Sequence, residues 1–175
     1  VGAYQPYNAA VVLTGVEVLR QKGWRIPEQA VREGLRRTVW PARFEVLRRA
    51  DPVCIVDGGH NPHGVRGTAE SLRRLFPHTP VTFVIGILED KDVSGVLEAL
   101  LPLAGRCYTV RPDSPRAMDQ EALARAVRAQ GVPAEACPSV PEGVRRAMAH
   151  AGRGGVVCAV GSLYMAGEIR ALFQK

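Results

Sequence analysis

Val53-Cys54-Ile55-Val56-Asp57-Gly58-Gly59-His60-Asn61-Pro62-His63-Gly64 is the stretch on which the reading of this chain turns. It opens on a short apolar run with β-branched residues, the pattern of a buried strand, and that run stops at an acid and two glycines. Beyond the turn, Asn61 is placed to cap a helix and Pro62 to occupy its first position. Strand, tight turn and helix follow one another within a dozen residues. In an open α/β sheet, ligands gather at the carboxyl ends of strands, where loops meet helix N-termini. Asp57, His60 and Asn61 would lie on that rim, and the glycines would let backbone approach a ligand closely. The same residues also fit a plainer account, in which Asp57 and Asn61 only cap the turn and His60 is a half-exposed loop residue.

The flanking sequence repeats the alternation. Strands are expected near residues 43–47, 52–57, 81–85, 107–110, 134–137 and 156–160, and helices over 62–76, 93–103, 119–130, from 141 onward and from 163 to 173. Strands alternating with helices of this length imply βαβ units, and right-handed crossovers make the result a doubly wound, mostly parallel α/β sheet. Ahead of it lie two helices, residues 8–22 and 27–35. The first has apolar residues at Val11, Val12, Val16, Val18 and Leu19 and is expected to pack. Neither belongs to the βαβ series, so the pair reads as the tail of a preceding domain plus a linker.

Composition narrows the class. The 175 residues are 46% hydrophobic and 23% charged, ordinary for one soluble domain. No apolar run is long enough for a transmembrane helix, so no membrane partner is expected. There is no signal-peptide pattern and no initial Met, which leads us to expect sequence upstream. Cys54, Cys107, Cys137 and Cys158 are widely spaced, which argues against a zinc site or disulfide framework and for the reducing cytoplasm. The net charge of +6 attracts anions, but the arginines fall in scattered pairs without interleaved aromatics, so nucleic acid is disfavoured.

Three strand ends could converge on one crevice: 57–60, 86–92 and 161–162. In the second, Glu89, Asp90, Lys91 and Asp92 form a charged group, read as a solvated loop with Asp92 as an N-cap; no metal is assigned there. Neither GxxxxGK[ST] nor a strand-linked GxGxxG is present, which disfavours a self-contained kinase, ATPase or dinucleotide oxidoreductase. Ser162, His60 and Asp57 do not announce a triad. His63, His78 and His150 read as surface residues, and Trp24 and Trp40 as packing near the linker. Arg43 is placed at the start of a strand, where its planar fork could clamp a phosphate.

Six elements, in order, resemble folylpolyglutamate synthase of the Mur ligase superfamily of ATP-dependent amide-forming enzymes. They are Gln5 to Ala10, Arg43-Phe44-Glu45, Asp57 to Pro62, Lys91-Asp92, Ser114 to Ala117, and Gly161-Ser162-Leu163-Tyr164 with Ala166-Gly167-Glu168. Tyr4, Ala42 and Gly59 stand where the family usually has His, Gly and Ala. The resemblance implies a Rossmann-like Mur ligase C-terminal domain over 38–175, behind a helical stub (1–37) from the end of the central ATP-binding domain. It implies ATP contacts from Asn8 at the base, Arg43 at the phosphates and Asp57, and a glutamate cleft lined by His60 and Ser162. Arg43, Asp57 and His60 would be the catalytic group. The implied reaction activates a folate γ-carboxylate as an acyl phosphate, which the amine of L-glutamate attacks; dihydropteroate is a further candidate acceptor. The phosphate loop and the Mg2+ ligands would lie in the N-terminal domain, so this fragment alone is expected to be inactive. Two alternatives stay open: another Mur-type ligase, acting on a cell-wall precursor, and a non-catalytic α/β binding module.

Overall fold

The computed structural model describes residues 2–174. Helices α1 (Gln5–Gln21) and α2 (Glu28–Arg37) come first, followed by strands β1 (Glu45–Arg48) and β2 (Val53–Asp57). The chain then alternates through α3 (Pro62–Leu75), β3 (Val81–Ile85), α4 (Val93–Leu100), β4 (Ala104–Thr109), α5 (Gln120–Ala129), β5 (Ala134–Ala136), α6 (Val140–Ala151), β6 (Val156–Val160) and α7 (Leu163–Phe173). The six strands form one sheet in the order β1-β2-β6-β3-β4-β5. Only β1 runs antiparallel to its neighbour. The expected doubly wound, mostly parallel architecture is what forms.

Alternation along each strand feeds two cores. Ile55, Phe83, Ile85, Cys158 and Val160 face α3, α4 and α5 through Val65, Leu72, Leu97, Leu100 and Leu123. Cys54, Val56, Val84, Val157 and Ala159 face α6 and α7 through Val144, Ala147, Met165 and Ile169. Strands β3 and β6 are buried throughout, as a parallel sheet covered on both faces requires. Side-chain oxygens cap helix starts, at Asn61 and Asp92 as expected and also at Asp119: Asn61 on Gly64 N–H at 2.8 Å, Asp92 on Gly95 N–H at 2.9 Å and Asp119 on Ala122 N–H at 2.8 Å.

Return of the chain from β5 through α6 inserts β6 between β2 and β3. Asp57, Val160 and Ile85 then stand in one register row, and the next residue of each strand is a glycine: Gly58, Gly161 and Gly86. Gly161 N–H donates to Gly59 O at 2.9 Å, and Gly86 N–H to Val160 O at 3.3 Å. Gly161 has φ +111, and a Cβ there would lie 2.6 Å from Gly86 O. The three strand ends lie side by side with glycine at each, but they do not share one crevice as expected: residues 86–92 and 161–162 are outside the lining of the cleft that 57–60 enters.

Three further expectations are corrected. Helix α1 was expected to pack, yet none of its residues is buried, and Val11 is 73% exposed. Its periodicity reported an apolar face but not what covers that face. Trp24 and Trp40, read as packing residues, are 65% and 68% exposed. The first strand starts at Glu45 rather than Arg43, because Ala42 (φ 55) and Phe44 (φ 50) hold left-handed conformations that a strand cannot contain.

Candidate functional site

Two segments build the floor of a cleft at the carboxyl edge. In the turn before β1, Arg43 sits between the two left-handed residues, which turn the backbone twice and leave the Arg43 side chain half-exposed above a buried Phe44. Such conformations cost of order 1–3 kcal/mol each for non-glycine residues and persist only where surrounding contacts impose them. The imposing contact here is Phe44 N–H donating to Asp57 Oδ2 at 2.7 Å. The second segment is the loop after β2, where Gly58 N–H donates to Ala42 O at 2.8 Å. A Cβ on Gly58 would collide with the Leu163 side chain and come within 3.1 Å of an Arg43 guanidinium nitrogen.

Asp57 is 2% exposed, and its oxygens are occupied. Oδ1 accepts from Gly59 N–H at 2.7 Å, and Oδ2 accepts from both Phe44 N–H and the Tyr4 hydroxyl, the latter at 2.8 Å. Burial, and then the Asp57 charge, push the Tyr4 phenol well above the usual tyrosine range, so it stays a donor. His60 Nδ1 lies 3.0 Å from Gly58 O. A carbonyl can only accept, so Nδ1 carries the proton and Nε2 is the ring's remaining polar atom.

The cleft has a volume of about 710 Å³, within the range of small-molecule sites. Four of the five expected site residues line it together: Asn8 from α1, Arg43, Asp57 and His60. Asn8 is exposed, with its amide donating to Gln5 Oε1 at 3.1 Å. Ser162 is not in this lining; it is buried, and its Oγ caps α7 by accepting from Tyr164 N–H at 3.2 Å. The charged group at 89–92 also lies elsewhere. It ties two loops together, with Glu89 N–H donating to Arg116 O at 2.8 Å and Arg116 paired with Asp90 at 3.1 Å.

Sequence reasoning missed part of the wall. Tyr4, Tyr7, His63, Arg66 and Glu70 also line the cleft. The spacing of 63, 66, 67 and 70 puts those residues on one face of α3, a signal that was legible once α3 was placed beside Asp57. Arg43 and Arg66, with the His60 and His63 rings beside them, make the rim around the start of α3 a place for an anion, although Asn61 already takes the Gly64 and Val65 N–H groups of that helix end. Among the described residues, no group of three or more His, Cys, Asp or Glu side chains could hold a metal ion.

Comparison with known proteins fits this geometry. The sequence is 36% identical over 122 residues to folylpolyglutamate synthase of Lacticaseibacillus casei, covering 69% of this chain and 28% of that protein. The fold superposes on Mycobacterium tuberculosis folylpolyglutamate synthase complexed with ADP and AMPPCP with a TM-score of 0.89 at 31% identity, over 99% of this chain and 41% of that one. It is also similar to E. coli FolC in complex with DHPP and ADP, with a TM-score of 0.83 at 28% identity, over 94% of this chain and 38% of that one. The chain therefore spans well under half the length of these relatives. Residues 42–163 match the Mur ligase, glutamate ligase domain, and the chain belongs to that family.

Proposed function

We propose that this chain is the C-terminal part of an ATP-dependent folylpolyglutamate synthase, with residues 1–37 ending the central ATP-binding domain and 38–175 forming the C-terminal domain. The observation that carries the proposal is the assembly of Asn8, Arg43, Asp57 and His60 around one cleft at the carboxyl edge of the sheet. Its relatives include an enzyme complexed with ADP and AMPPCP and another with DHPP and ADP. Exposed apolar residues along α1, Val11, Val12, Leu13, Val18 and Leu19, suit a helix that completes its packing against that preceding domain. The unpaired, buried thiols suit the cytoplasm.

In the proposed reaction, a carboxylate oxygen of the folate acceptor attacks the γ-phosphorus of ATP, and ADP departs. The amine of L-glutamate then attacks the acyl carbon; an amide forms, and phosphate leaves with the former carboxylate oxygen. Arg43 is suited to stabilise charge on the transferring phosphoryl group, because its turn fixes a positive charge before the reaction begins. Asn8 would address the base. His60, with Nδ1–H held by Gly58 O, presents Nε2 as an acceptor toward the incoming glutamate. Ser162, one strand away, is assigned to the glutamate side. As the family resemblance implies, Mg2+ is assigned to the preceding domain, and no step is routed through it.

The test is an assay of the longer gene product for glutamate-dependent ADP release with a folate or dihydropteroate acceptor. Arg43→Ala should lower kcat about 10²–10³-fold, as loss of one preorganised charge stabiliser does. Turnover indifferent to the folate acceptor, or to Arg43→Ala, defeats the proposal.

A further inference from the structure

Tyr4 occupies a built socket. Its ring lies over α3 where Gly67 has no side chain, and a Cβ there would stand 2.9 Å from Tyr4 Cδ1. A Cβ on Gly2 would likewise come within 2.9 Å of Tyr4 Cε1 and 3.2 Å of Phe44 Cβ. One residue earlier, Ala3 N–H donates to Ser71 Oγ at 2.7 Å, and Ser71 is buried on α3. The Tyr4 hydroxyl completes the set on Asp57 Oδ2, the same oxygen that holds the Arg43 turn. Helix α1 begins at the next residue and buries none of its own side chains, yet it carries Tyr7 and Asn8 into the cleft wall. Within this domain, the contacts that tie the start of α1 to the sheet and α3 are those of Ala3 and Tyr4.

We propose that Tyr4 is a positioning residue of the cleft: seated on Gly67 and bonded to Asp57, it holds the start of α1, and with it Asn8, against the rim that carries Arg43. One carboxylate thereby joins three segments distant in sequence: the approach to α1, the Arg43 turn and the loop after β2. The mechanical part of this proposal is independent of ligand; the part concerning nucleotide rests on the reading of the cleft as an ATP site.

Two substitutions separate a local role from loss of the fold. Tyr4→Phe keeps the ring and removes the hydroxyl. Gly67→Ala introduces a methyl where the ring lies while improving helix propensity, so it perturbs the socket without weakening α3 itself. Spin labels on Glu17→Cys and Arg125→Cys, both polar and exposed, report the pose of α1 against the domain; the four native thiols are buried and resist labelling. The distance distribution should be narrow in the parent and broaden in both variants. Distributions of unchanged width in both variants overturn the proposal, whatever the ligand data show. Titration with ADP is the second readout, with Arg43→Ala as reference. Tyr4→Phe should weaken ADP roughly tenfold, the scale of one hydrogen bond to a charged group. If ADP ignores Arg43→Ala, the nucleotide reading fails, while the label widths still decide whether Tyr4 sets the pose of α1.

Discussion

Asp57→Ala should be among the most damaging single substitutions in this domain, and its cost can be worked from three contacts. The carboxylate accepts from Phe44 N–H at 2.7 Å, Gly59 N–H at 2.7 Å and the Tyr4 hydroxyl at 2.8 Å. Alanine leaves two buried amides without partners, each costing about 1–3 kcal/mol. The half-buried phenol can turn toward water, and removal of a buried charge returns some desolvation energy. The net is about 4 kcal/mol, a large share of the roughly 5–15 kcal/mol that stabilises an ordinary domain. Asp57→Asn keeps one acceptor oxygen but turns an NH2 toward a donor, and should lose about half as much. Urea unfolding followed by circular dichroism gives these values, and melting should fall by about 8–16 °C for Asp57→Ala. A loss below about 1 kcal/mol would refute the reasoning. It would mean that the amides find other acceptors and that the carboxylate is free for a ligand instead.

Three further outcomes rest on different features of the structure. Gly161→Ala forces a side chain into φ +111 with its Cβ 2.6 Å from Gly86 O, and should cost about 2–4 kcal/mol in the same urea experiment. Burial pushes the Cys54 and Cys107 thiols up to about 12 from a usual value of 9.0. The folded state then keeps protons that the unfolded state releases, so the contribution of these thiols is flat below about pH 9 and destabilises as pH rises from there toward 12. Cys54→Ala should reduce that alkaline slope, as read from urea midpoints across the range. Val11→Lys, at a position 73% exposed on α1, should change stability by no more than about 0.5 kcal/mol. It should lower any self-association seen by sedimentation, because it breaks an uncovered apolar stripe.

What could be read from the sequence, and what could not, divides along one physical line. Short continuous apolar runs and glycine stops are local signals, so β2, β3 and β6 and their shared carboxyl edge were legible in the sequence. The same holds for Asn61 and Asp92 as caps, since a cap is decided within four residues. Arg43 was placed in a strand, because nothing local marks Ala42 and Phe44 as left-handed. Their conformation is imposed from 13 residues away, by the Asp57 carboxylate on Phe44 N–H. Tyr4 lies further out, 53 residues from its partner, and looked like a bare departure from a family pattern. One local clue did exist in Gly67, a glycine inside a helix that costs up to about 1 kcal/mol relative to alanine and so calls for a compensating contact. Asp57 shows why composition alone underdetermined the site. Its position at a strand end suggested a ligand contact, whereas its burial and three donors make it the joint that holds Arg43 in place. On the proposed reaction, a charge fixed before the phosphoryl group arrives needs such a joint as much as it needs Arg43 itself.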